Sequence, residues 1–189
     1  MNITNPAIIV LLVIAGLVLG VLLAVAMNRA QRSRKLQDKF GPEYDRAVEK
    51  LGDKHEAERD LASRVERVKQ LDIRPLSEKE MDRFSNEWRL TQAEFVDAPL
   101  AAMEKADRLI GEVMKARGYP VEDFEQRAAD ISVDYPELVT NYRGLHSLAT
   151  KGKNQKVSTE ELRKAMVHGR ALFENLVRKD IDVEKERLS

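Results

Sequence analysis

Three histidines, His55, His146 and His168, are the side chains best suited to move a proton or hold a metal near neutral pH. None stands in E-x-x-H or H-E-x-x-H spacing, because Gly52, Arg143 and Ala165 occupy the positions three residues before them. Helical zinc and di-iron sites need a second ligand one turn away, so neither arrangement is encoded. The absence of cysteine removes thiolate metal sites, disulfides and cysteine nucleophiles. Gly152-Lys153 would need glycine in place of Ser147 to fit a phosphate-binding P-loop, and neither G-x-G-x-x-G nor G-x-S-x-G occurs. Carboxylates are plentiful but alternate with Lys and Arg, the pattern of a solvated helical surface. No catalytic, cofactor or metal site is assigned. His146 and His168 both flank apolar stripes, which leaves two readings: a partly buried polar edge, or a pocket formed where the last two major helices pack.

The elements that would position such residues begin with a segment of a different kind. Residues 7–27 form an unbroken run of 21 uncharged, almost wholly apolar residues. As a helix the run is about 31 Å long, matching a hydrocarbon core of about 30 Å. Ala24-Val25-Ala26 has the form of a signal-peptidase site, but a signal peptide has a basic leader and a shorter apolar core. Here residues 1–6 carry no charged side chain, and Arg29, Arg32, Arg34 and Lys35 lie on the C-terminal flank. The positive-inside rule keeps that flank in the cytoplasm. The expectation is an uncleaved single-pass anchor of an inner membrane, N-out and C-in; export after cleavage is the alternative. The same basic residues, with Lys39, sit at headgroup depth, where each contributes about 1 kcal/mol toward anionic lipid. Gly16, Gly20 and Ala24 form a small-residue stripe that lets two such helices approach closely, so a homodimer through the anchor is a candidate.

Charge divides the chain as well. Residues 1–35 carry +4 and the remainder −4, with a formal net charge of zero overall. A mildly acidic domain is a poor nucleic-acid binder, because that affinity rests on neutralising phosphates. Gly41-Pro42 interrupts the first helix, and Gly52 a second. Residues 53–71 are dense in mixed charge, with Leu61, Val65 and Val68 as a thin stripe. This segment reads as a solvated stalk, a weak coiled-coil strand, or a helix braced on the domain C-terminal to it. Ile73-Arg74-Pro75-Leu76 is the expected domain boundary.

Beyond it the period is helical throughout. Ser77-x-x-Glu80 and Ser158-x-x-Glu161 have capping-box spacing, Asp97 is the expected N-cap before Pro99, and Gly118 suits a helix end ahead of Pro120. Apolar stripes occur at Met81, Phe84, Trp88 and Phe95, then Leu100 to Val113, Phe124 to Ile131, Leu138 to Ala149, and Leu162 to Leu176. The fold class is all-α: an anchor at 1–28, a basic flank and charged stalk at 29–75, a helical bundle at 76–178, and a charged tail at 179–189. Lys151, Lys153 and Lys156 mark an exposed loop, with contact to an acidic partner or a membrane surface as its functional alternative.

The strings RSRKLQDKFGPEYDRAVE, RPLSEKEMDRFSNEWRLTQAEF and GYPVEDFEQRAAD resemble a family of bacterial proteins labelled hypothetical, secreted or membrane. The resemblance implies a bacterial source and a shared domain, and it carries over no catalytic residue. The expected function is a membrane-anchored, non-enzymatic interaction or scaffold module. Its partners would be the lipid bilayer, a second copy and an unidentified protein, with no nucleic acid. The alternative is a helical enzyme or small-ligand binder using a pocket near His146 and His168.

Overall fold

The computed structural model describes the backbone of residues 6–151 and 157–188, with side chains at 10, 14–150 and 157–178. The Lys151–Lys156 loop side chains, residues 1–5 and the side chains of the 179–189 tail lie outside the described residues. The protein is all-α: α1 (Pro6–Phe40), α2 (Pro42–Leu51), α3 (Lys54–Lys69), α4 (Glu78–Glu94), α5 (Pro99–Ala116), α6 (Phe124–Asp134), α7 (Pro136–Lys151) and α8 (Thr159–Leu188). No strand occurs among the described residues. Two units are distinct, residues 1–39 and residues 40–189.

Local chemistry sets the helix ends. Gly41 adopts φ 46°, a conformation open to glycine, and Pro42 fills the first turn of α2. Asp53 caps α3 by accepting from the Glu56 amide at 2.7 Å. Ser77 and Glu80 close a full capping box on α4, and Ser158 and Glu161 bond reciprocally at the start of α8. Asp97 does not cap α5. Its amide and that of Ala98 bond back to the Glu94 carbonyl, so Asp97 belongs to the turn that closes α4, and Ala98 holds the N-cap.

Helix α5 lies at the centre of the 40–189 unit, packed against α4, α7 and α8. Met103, Ala106, Ile110, Val113 and Met114 are fully buried along it. Trp88 of α4 stacks on Phe173 of α8, with ring centroids 4.4 Å apart. Helices α7 and α8 cross closely at Gly169, where a methyl group would run into Leu145. The five helices expected beyond residue 76 are present, and α8 continues past residue 178 to Leu188.

The region expected to be a stalk is not separate. Helices α2 and α3 pack on each other, α3 on α6 and α2 on α7. Leu61 and Val68 are buried within this unit, so of the three readings of the segment the braced helix is the one observed. Ile73-Arg74-Pro75-Leu76 is not a boundary either. The Arg74 amide donates to the Arg117 carbonyl at 2.9 Å, and Leu71, Ile73 and Leu76 pack on the core. Gly118, at φ 96°, passes so close to the Asp72 carbonyl that a β-carbon there would overlap it.

These contacts are open to two tests. Gly118→Ala should lower stability by about 1–3 kcal/mol, read as a reduced urea midpoint, because it meets both a left-handed φ and backbone it cannot displace. The Glu80 carboxyl is held well below the usual range by its hydrogen bond to Arg74, then by the Ser77 amide and hydroxyl. Folding thus favours the ionised form, so its contribution is complete above about pH 4.5 and is lost as pH falls toward the folded-state value. Glu80→Ala should therefore lower the midpoint at neutral pH, with the gap to wild type narrowing in acid. A gap that stays constant would remove the carboxylate from the cap.

Candidate functional site

A dense polar constellation among the described residues of the 40–189 unit lies where α2, α3, α6 and α7 meet. Glu43, in the first turn of α2, has no solvent exposure. Its Oε1 accepts from Arg64 Nη1 of α3 and from Arg143 Nη2 of α7, each at 2.9 Å. Arg64 also reaches Ser132 Oγ at 3.2 Å and Asp60 at 2.7 Å. Next to this group, Arg67 and Gln126 both donate to the fully buried Asp130, at 2.8 Å each. At the outer edge Arg143 and Lys50 share Glu125. Burial acts to raise the Glu125 carboxyl, but the Lys50 hydrogen bond and the Arg143, Lys50 and Arg46 charges bring it below its ordinary value.

This constellation is built to join helices. Every carboxylate in it faces a guanidinium or an ammonium. Glu43 and Asp130 escaped the reading of carboxylates as surface. The signal lay in register: Ala57, Leu61, Arg64 and Val68 are buried at spacings of four, three and four, so Arg64 occupies a core position of the α3 stripe. Glu43 similarly shares the face of Tyr44 and Ala47.

A second cluster surrounds His146. Its Nδ1 lies 2.8 Å from Asp107 Oδ2 of α5, and its ring stacks on Phe124 of α6 with centroids 3.5 Å apart. Arg127 lies over the rings of Phe124 and Tyr142. Burial, followed by the Asp107 charge, pushes the Tyr142 phenol above its ordinary range. Tyr119 is raised in the same way, by burial and by donating to Asp134, so both phenols stay protonated at neutral pH.

His168 is elsewhere. It is exposed and lines an open groove of about 270 Å³ between α7 and α8, with Thr140, Asn141, Gly144, Leu148 and Lys164. His146 does not line that groove, since it looks from α7 toward α5 and α6. The two histidines are thus not brought into one pocket. Among the described residues no group of three His, Asp or Glu side chains is placed to hold a metal ion.

In the 1–39 unit, Ala24, Arg29, Arg32, Arg34 and Lys35 are all exposed along α1, and Gly16 and Gly20 have open space beside them. This helix is long and apolar enough to cross a membrane or to serve as a signal sequence.

Glu43→Gln should destabilise the unit by about 3 kcal/mol, because two guanidiniums lose their shared countercharge in a buried setting. The double variant Glu43→Leu/Arg64→Met should recover part of that loss. Equal denaturation midpoints for wild type and Glu43→Gln would show that the network contributes nothing. Comparison of the chain with family models, with curated proteins and with solved structures finds no match.

Proposed function

We propose that this is a single-pass protein of a bacterial inner membrane, held N-out and C-in by α1, whose 40–189 unit is a non-enzymatic interaction or scaffold module in the cytoplasm. The observation that carries the reading is the exposure of apolar side chains all round α1. Leu17, Val21 and Met27 are 66%, 62% and 63% exposed, and Val18, Leu19, Leu22 and Leu23 fill the intervening directions. A helix apolar on every side needs an apolar solvent, and a bilayer supplies one. Exposed Arg29, Arg32, Arg34 and Lys35 come directly after it, which supports the orientation and a contact with anionic headgroups. The open flank at Gly16, Gly20 and Ala24 supports pairing of two anchors.

Two features favour an interaction module over an enzyme. The carboxylates of the α2–α3–α6–α7 cluster are tied to arginines. His146 and His168 lie apart, which weakens the alternative of a pocket using both. The coiled-coil extension of an anchor dimer is also weakened, because Leu61 and Val68 are buried in their own chain.

The full chain should stay with membranes under alkaline extraction and keep its N-terminal segment by intact mass. A cytoplasm-dependent reporter fused after Ser189 should be active. Replacing Arg29, Arg32, Arg34 and Lys35 together with Gln should turn a fraction of the molecules to the opposite orientation. Loss of about 26 residues at the A-x-A site would replace the anchor with an exported domain.

A further inference from the structure

Helices α4 and α8 face each other along a half-open groove of about 160 Å³. From α4 come Ser85, Trp88, Arg89 and Gln92, which recur at helical spacing on one face. From α8 come Arg170, Phe173, Glu174, Val177 and Arg178, again one face. The floor is apolar, with Trp88, Phe173 and Val177 buried, and the rim carries three guanidiniums against one carboxylate.

Two observations indicate that this groove is made for an oxyanion. The indole N–H of Trp88, a residue only 4% exposed that lines the groove, has no acceptor among the described residues. An unpaired buried donor is uncommon in native proteins. The arginines are also under-used. Arg170 donates to Glu174 through Nε, and among the described residues Arg89 and Arg178 have no carboxylate within ion-pair distance. A rim of net charge +2 matches a phosphate monoester, which carries about −1.5 to −2 at neutral pH. Guanidinium forks are the side chains best shaped to hold such a group. Size sets the rest of the molecule: the groove is close to an engineered cavity of about 150 Å³ that accepts benzene.

We propose that the α4–α8 groove binds a small soluble phosphate monoester, its phosphate held by Arg89, Arg170 and Arg178 and its single ring-sized apolar group lying over Phe173 and Val177. The site is independent of the membrane reading. It needs only the bundle, and it gives that module a ligand to respond to.

Trp88 is the only tryptophan in the chain, so its emission reports on this groove alone. Full-length protein in phosphatidylcholine nanodiscs should be titrated with phenyl phosphate, inorganic phosphate and benzyl alcohol. Phenyl phosphate should give a saturable change in emission, inorganic phosphate a weaker one, and benzyl alcohol none. The variant Arg89→Gln/Arg178→Gln changes two exposed side chains and should melt as wild type does. It should raise the phenyl phosphate dissociation constant at least about tenfold. No saturable change with phenyl phosphate, or the same affinity in the variant, would overturn the proposal. A response to phosphatidic acid placed in the discs, with none to phenyl phosphate, would assign the groove to lipid headgroups and overturn it as well.

Discussion

One oxygen atom of Glu43 accepts from two arginines that come from helices far apart in the chain, and the placement of α2 and α3 depends on that bridge. These two helices have little else with which to dock. Their buried apolar residues are few, chiefly Tyr44 and Ala47 on α2 with Ala57, Leu61 and Val68 on α3. Ion pairs in a buried setting add little net stability over apolar replacements, but they punish any arrangement that separates the partners. A charged contact of this kind selects one docking position among several that a thin apolar stripe would tolerate. Arg67 on Asp130 repeats the device one turn along α3.

The other half of the unit is joined by different physics. Helices α4, α5, α7 and α8 meet through large apolar side chains packed around α5, and the close crossing at Gly169 draws α8 onto α7 and α5. Apolar attraction has no direction, so position there comes from shape: a glycine notch, a stacked Trp88–Phe173 pair and capped helix ends. The His146 cluster sits where the two regimes meet, its Asp107 partner on the apolar central helix and its Phe124 neighbour on α6.

Much of this was legible along the chain because helix ends are short-range events. Ser77 with Glu80, Ser158 with Glu161 and Gly118 before Pro120 each depend on neighbours within a few positions, and each stands where the spacing puts it. Asp97 misleads because two residues in a row can serve the turn before a proline, and the backbone bonds to Glu94 decide between them. The docking of α2 and α3 was not legible in the same way. Glu43 meets Arg143 across 100 positions, and nothing near either residue announces the other. The charge-rich composition of α3 argued for solvent, whereas the register of Arg64 with Leu61 and Val68 argued for burial, and tertiary pairing decided for register. The groove between α4 and α8 was half visible: the Trp88 stripe could be read, but not that a row of arginines from α8 would line its rim.

The shared oxygen of Glu43 also constrains the order in which this sequence can drift. Arg143 has a second partner in Glu125, and Glu43 keeps Arg64 when Arg143 is gone, so Arg143 can be the first member replaced. Glu43 cannot lead, since its loss takes from both arginines their one fully buried acceptor and leaves each with only an outlying carboxylate, Asp60 or Glu125. Descendants of this chain should therefore pass through forms that retain the glutamate and one arginine before an apolar trio becomes reachable. The network is a historical ratchet as well as a joint.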